Sequence, residues 1–187
     1  MRETDSGGTR GRLIAAAAEV ITDGNHISMP LRTVAQRAGA TTGAIQHHFG
    51  NRNGLLLAVL AAHGKRTADR LRARRDQGSG RPGNVVRAIL LEYLPLDEER
   101  REEALVAYAF ESMAINDNAM AAAYRAQYAE LADLLAEHLP FSGPNEIALL
   151  LAALGGFRTD LLLNRVNAQQ AVGLLDLMID RISRRTE

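Results

Sequence analysis

The stretch Leu31–Phe49, LRTVAQRAGATTGAIQHHF, decides the reading of this chain. Leu31, Val34, Ala35 and Ala38 fall at i, i+3, i+4 and i+7, one apolar stripe along a short helix. Gly39 follows, where the left-handed geometry of a helix C-terminus favours a residue without Cβ. Thr41 is placed to cap a second short helix, in which Ile45 and Phe49, four apart, face inward. Thr42, Ala44, Gln46 and His47 are left pointing outward. Two short helices joined by a tight, Gly-containing turn are the geometry that delivers a helix to the DNA major groove.

Working outward, nearly every segment has helical period and no period-2 strand stands out, so the expected fold is all-α with about nine helices. A first helix is expected from about Thr9 to Asp23, with Leu13, Ala16, Ala17, Val20 and Ile21 on its apolar face and Gly24 ending it. Residues 1–8 read as a disordered arm. Pro30 suits a first helical position, and Asn51 caps a long fourth helix reaching Arg75. DQGSGRPG, residues 76–83, is the clearest break. Beyond it, helices are expected near Asn84–Leu94, Asp97–Ile115, Asn118–Leu139, Asn145–Asn164 and Ala168–Arg184.

The formal net charge of zero hides an asymmetry. Residues 1–75 hold 12 Arg/Lys and 5 Asp/Glu, a net of +7, and the remainder holds 10 and 17, a net of −7. A basic N-terminal part beside an acidic remainder fits a protein with one polyanion-facing end. Cysteine is absent, which removes disulfides, thiol nucleophiles and Cys-based zinc sites. No apolar run is long enough for a transmembrane helix and no signal-peptide pattern opens the chain, so a cytoplasmic location is expected. No Gly-rich phosphate loop, G-x-S-x-G or H-E-x-x-H motif is present, and no cofactor is expected. His47 and His48 are adjacent, about 100° apart around a helix, which is the wrong spacing for a metal pair.

Residues 10–60 resemble the DNA-binding domain of the TetR family of bacterial transcriptional regulators. The matching words are TRGRLIAAAAEVITDG, LRTVAQRAGATTGAIQHHF and GNRNGLLLAVL. From LPLDEERREEALVAYAFESMAINDNAMAAAYRAQY onward the chain is more loosely similar to the BetI-type C-terminal domain of that family. The resemblance implies a three-helix DNA-binding domain over residues 9–52, a ligand-binding and dimerisation domain over 53–187, and a repressor released from a palindromic operator by a small molecule. Gln46, Met29, Gly54 and Arg52 depart from the usual residues at their positions, which bears on the operator sequence rather than on DNA binding.

For base edges the candidates are Thr42, Gly43, Ala44, Gln46 and His47. A Gln can pair bidentately with adenine, a methyl can touch that of thymine, and Gly43 permits close approach. For phosphates they are Arg32, Thr33, Thr41, His48 and Arg52, with Arg10 and Arg12 as additions from the arm. Arg52 sits in a helix first turn, where unpaired N–H groups already favour an anion.

In the acidic part, LVAYAFESMAI (Leu105–Ile115) is apolar on almost every side and is expected to run through the middle of the regulatory domain with Glu111 inside it. Tyr93, Tyr108, Glu111, Met113, Tyr124, Tyr128 and Arg158 are candidates for a small-molecule pocket, and they equally describe an ordinary core edged by tyrosines. Asp160 is a candidate anchor or ion-pair partner. Leu150, Leu154, Phe157, Leu161, Leu174, Leu175, Met178 and Ile182 recur at helical spacing on the last two helices and are the candidate homodimer interface. Two further readings differ: a C-terminal domain that only dimerises or binds a protein partner, and, more remotely, a small helical enzyme.

Overall fold

The computed structural model describes residues 6–25, 29–75, 82–139 and 143–184. Among them there are nine α-helices and no strand. The helices are α1 Ser6–Val20, α2 Leu31–Arg37, α3 Thr42–Phe49, α4 Arg52–Arg75, α5 Pro82–Glu92, α6 Glu98–Ala114, α7 Asn118–His138, α8 Pro144–Leu162 and α9 Ala168–Arg184. α1 starts three residues ahead of the sequence expectation and is followed by a kinked turn, Ile21–Asn25, where Gly24 leaves the helical region at φ +87°. Most of the break at 76–83 lies outside the described residues.

The chain forms two compact units, and α4, α6 and α7 each contribute residues to both. The first comprises Met1–Lys65 and Leu105–Tyr124. Its core takes Leu13, Ala16, Ala17, Val20 and Ile21 from α1 and its extension, with Val34 and Ala35 from α2 and Ile45 from α3. Leu55, Leu56, Val59 and Leu60 of α4 complete it, with Val106, Ala109 and Phe110 of α6. Each helix buries the stripe its period marks out, and burying a side chain such as Leu13 or Leu55 contributes about 1.5–3 kcal/mol.

The second unit comprises Arg66–Ala104 and Arg125–Glu187. Val86, Ile89, Leu90 and Leu94, in and just after α5, pack with Leu135, Ile147, Leu150, Leu151, Leu154, Leu175 and Ile179 of α7, α8 and α9. Within this unit lies a charged cluster. Glu92, whose side chain is fully buried, accepts from Arg70 Nε at 2.8 Å. The same guanidinium donates to Glu103 at 2.5 Å and Glu99 at 3.1 Å, while Arg100 stands 3.9 Å from Glu92. The hydrogen bond to Glu103 is the main reason that Arg70 is held more firmly protonated than a free arginine, with burial opposing it. Burial pushes the neighbouring Tyr93 hydroxyl up to about 12, and Glu130 adds to the shift.

α6 corrects an expectation. It is not buried all round: Val106, Ala109 and Phe110 face the core, whereas Tyr108 and Ile115 are exposed. Ile115 lies in the turn after the helix, where hydrophobicity alone does not bury a side chain.

Candidate nucleic-acid interface

The interface begins with the α2–α3 turn. The backbone of Pro30 starts α2 without a side-chain cap. At the other end Gly39 takes φ +59°, and Ala40 N–H donates to the Ala35 carbonyl at 2.9 Å, closing the helix. From α1, Arg12 Nε donates to the Ala38 carbonyl at 3.2 Å, and its other end meets Thr9 Oγ1 at 2.9 Å. Arg37 bonds Asp23 at 2.6 Å. α2 is thereby tied to α1 at its C-terminal end, and Arg12 serves the fold rather than extending from an arm. Arg10 lies 5.5 Å from the Phe49 ring centroid, a cation–π distance.

Thr41 caps α3, its Oγ1 accepting the Ala44 N–H at 3.2 Å. Thr42, Gly43, Gln46 and His47 are exposed, Ile45 is buried, and Ala44 is half-buried against the core, so its methyl is only partly presented outward. Phe49, expected in the core, is half-buried. Arg32 and Thr41 are exposed, and Thr33 and His48 are half-buried. The His48 ring meets those of His47 and Phe49 edge to face at 5.1 and 6.1 Å. Among the described residues no group of three or more His, Asp or Glu is placed to hold a metal ion.

α4 starts tightly behind α3. Asn51 Oδ1 accepts the Gly54 N–H at 2.9 Å, so the cap read from the sequence is made. A Cβ on Gly54 would lie 2.0 Å from the Phe49 carbonyl oxygen, which explains why no larger side chain stands there. Arg52 is half-buried and its guanidinium points at Met113 Sδ, 3.7 Å away. Next to it Asn53 Nδ2 donates to Asp117 Oδ2 at 2.8 Å. Asp117 also caps α7 through the N–H groups of Met120 and Ala119, and the first of these does most to hold its carboxyl below the usual range. Between these groups is a cavity of about 290 Å³, open on one side, whose walls include Arg52, Asn53, Ser112, Met113 and Asp117. Nothing local marks this pairing, since Asn53 and Asp117 are 64 residues apart and both are ordinary helix-start residues.

The candidate ligand residues are divided. Tyr108, Glu111, Met113 and Tyr124 belong to the first unit, where the Tyr124 hydroxyl donates to Glu111 and supplies the partner that carboxylate needed. Tyr93, Tyr128 and Arg158 belong to the second, in which Arg158 is buried and Tyr128 exposed. Asp160 pairs with Arg165 at 3.1 Å. Of the candidate interface residues, Leu150, Leu154, Leu161, Leu175 and Ile182 are taken up by the core of the chain itself. Phe157 and Met178 are half-buried and Leu174 is exposed. The apolar side chains left outward on α8 and α9 are Leu149, Leu174 and Leu177, each about half exposed.

No helix among the described residues is long and apolar enough to cross a membrane. Residues 13–59 match the family model for bacterial regulatory proteins of the tetR family. Residues 82–184 match that for the C-terminal part of BetI-type transcriptional repressors. Over 81 residues the chain is 35% identical to the HTH-type transcriptional regulator BetI 1 of Chromohalobacter salexigens. That alignment spans 43% of this chain and 40% of the relative. A transcriptional regulator from Rhodococcus sp. Rha1 has the same fold at a TM-score of 0.85 and 28% identity, over 94% of this chain and 96% of its own. A regulator from Saccharomonospora viridis, solved in complex with choline, gives 0.79 at 16% identity, over 94% and 95%. With both halves matched and the helix-turn-helix built as described, the chain belongs to the TetR family of DNA-binding bacterial transcriptional regulators.

Proposed function

We propose that this protein is a homodimeric, cytoplasmic repressor, not an enzyme, that reads a palindromic operator and is released from it by a small molecule. The observation that carries the reading is the exposed face of α3, where Thr42, Gly43, Gln46 and His47 stand on a helix fixed by the Thr41 cap. Such a face presents hydrogen-bonding and methyl groups to base edges, and Gly43 lets the helix lie close. Arg32, Thr33, His48 and Arg52 flank it and take phosphates. Two-fold operator symmetry calls for a second copy, and the outward Leu149, Leu174 and Leu177 of α8 and α9 provide an apolar face for it.

Release requires a ligand with different affinities for the DNA-bound and free states. α4 is the element suited to carry that difference, because it starts directly after α3 and extends into the second unit. The choline complex of the Saccharomonospora viridis regulator supports a small-molecule ligand as a class. Binding to genomic fragments that include the gene's own upstream region tests the reading. A preference for one palindromic fragment, weakening steeply with salt, is expected, and equal binding to all fragments overturns it. A thermal-shift screen of metabolites tests the ligand arm, since a compound selective for the folded state raises the melting temperature.

A further inference from the structure

Arg52 has two claims on it. As a phosphate contact it must reach outward, yet in the structure its guanidinium N–H groups lie 3.7 Å from the Met113 thioether, at the wall of the open cavity between the start of α4 and the α6–α7 turn. A thioether is a weak acceptor, so this contact by itself adds little to hold the guanidinium. Its sulfoxide is a different group: the added oxygen is a strong, compact acceptor facing a guanidinium.

We propose that Met113 is an oxidation site through which peroxide lowers DNA affinity, a reading that rests on the phosphate role assigned to Arg52. Hydrogen peroxide transfers one oxygen to Sδ: the O–O bond breaks, an S–O bond forms, the sulfur gives up two electrons and water leaves. The sulfoxide oxygen then accepts from the Arg52 guanidinium and holds it against the α6–α7 turn. The cavity of about 290 Å³ has room for the new oxygen beside the polar Asn53 and Ser112, so the product forms without opening the core. The chain has no cysteine to intercept peroxide first, and its described methionines differ in access. Met29 and Met120 are buried, Met113 and Met178 are half-buried, and Met1 lies outside the described residues. Only Met113 of the described four is in hydrogen-bond reach of a cation proposed to contact DNA.

The test treats the full chain with hydrogen peroxide, follows oxygen gain at each methionine by peptide mass spectrometry, and measures operator affinity across a salt series. Met113 is expected to gain oxygen ahead of Met29 and Met120, with affinity falling roughly ten-fold for each charged contact withdrawn, hence about a hundred-fold for a dimer that loses one per protomer. The log–log salt slope then shrinks by about one per protomer. Methionine sulfoxide reductase restores both. Met113→Leu is expected to give the same affinity with and without peroxide, Met178→Leu to respond as the wild type does, and Met113→Gln, a sulfoxide mimic, to bind weakly without peroxide. Full oxidation of Met113 with unchanged affinity overturns the proposal, and so does an equal loss in Met113→Leu. Arg52→Ala separates the two readings. If it weakens binding while oxidised wild type does not, the oxidation site alone fails; if it leaves binding intact, the phosphate role fails and the proposal with it.

Discussion

Gly54 shows how a single missing side chain can be dictated from outside its own helix. In a helix first turn, alanine is favoured over glycine by about 1 kcal/mol on propensity alone. Here the Phe49 carbonyl oxygen, 2.0 Å from where the Cβ would sit, reverses that sign. Gly54→Ala is therefore expected to destabilise the chain by more than about 1 kcal/mol in urea unfolding, because relief requires the α3–α4 backbone to shift. An unchanged or higher midpoint would show that the turn relaxes freely. Thr41→Ala removes the α3 cap and is expected to cost about 1 kcal/mol in the same assay. At the DNA, Gln46→Ala should relax preference at one or two base pairs, whereas Arg52→Ala should weaken all sequences about equally, as competition titrations would reveal. The caps at Thr41 and Asn51 and the left-handed Gly39 were legible in the sequence because each acts within four residues of itself. The steric role of Gly54 was not, since it depends on the direction in which the chain leaves α3.

Between elements, long-range charge pairing decides what periodicity cannot. Arg70 on α4 reaches Glu92 on α5 and both Glu99 and Glu103 on α6, so one guanidinium holds three helices of the second unit together. Removing it takes away the cation 2.8 Å from Glu92, whose side chain has no solvent exposure, and leaves Arg100 at 3.9 Å. Arg70→Ala is expected to cost about 3 kcal/mol or more by chemical denaturation, and Arg70→Lys to recover only part of it, since an ammonium cannot reproduce the forked bonds. Tyr93, just past α5, gives the same unit a pH signature. Its hydroxyl pKa is raised from 10.0 to about 12 in the folded state. Its contribution to stability is therefore present below pH 10 and is lost as the pH rises from 10 towards 12. Tyr93→Phe should flatten that part of a melting-temperature profile, and an unchanged slope would assign the alkaline loss to other groups. In the sequence nothing singles out Arg70, Glu92, Glu99 or Glu103. Nothing local marks a partner 22 or 33 positions away.

At the scale of the whole molecule, the apolar stripes of α8 and α9 are divided between the interior of the chain and the face proposed for a second copy. Periodicity identifies the stripe without saying which residues the monomer consumes. Leu150, Leu154, Leu161, Leu175 and Ile182 are consumed, and Leu149, Leu174 and Leu177 remain outward. Leu174→Arg with Leu177→Arg is expected to leave a folded monomer in sedimentation and to lower operator affinity steeply, because each half-site would then be bound alone. A double variant that stays dimeric would move the interface elsewhere. That the chain is all helical, that its helices lie within a few residues of where they are found, and that a basic N-terminal part with a helix-turn-helix precedes an acidic remainder can all be read along the chain. Those features follow from local propensity, from caps and from the 3.6-residue period, all written within a few positions. Packing, by contrast, sets Arg12 between α1 and the end of α2, Arg52 against Met113 and Glu111 beside Tyr124, and leaves certain leucines outside. Each of those depends on which helix faces are brought together, and burial and charge pairing are settled there rather than along the chain.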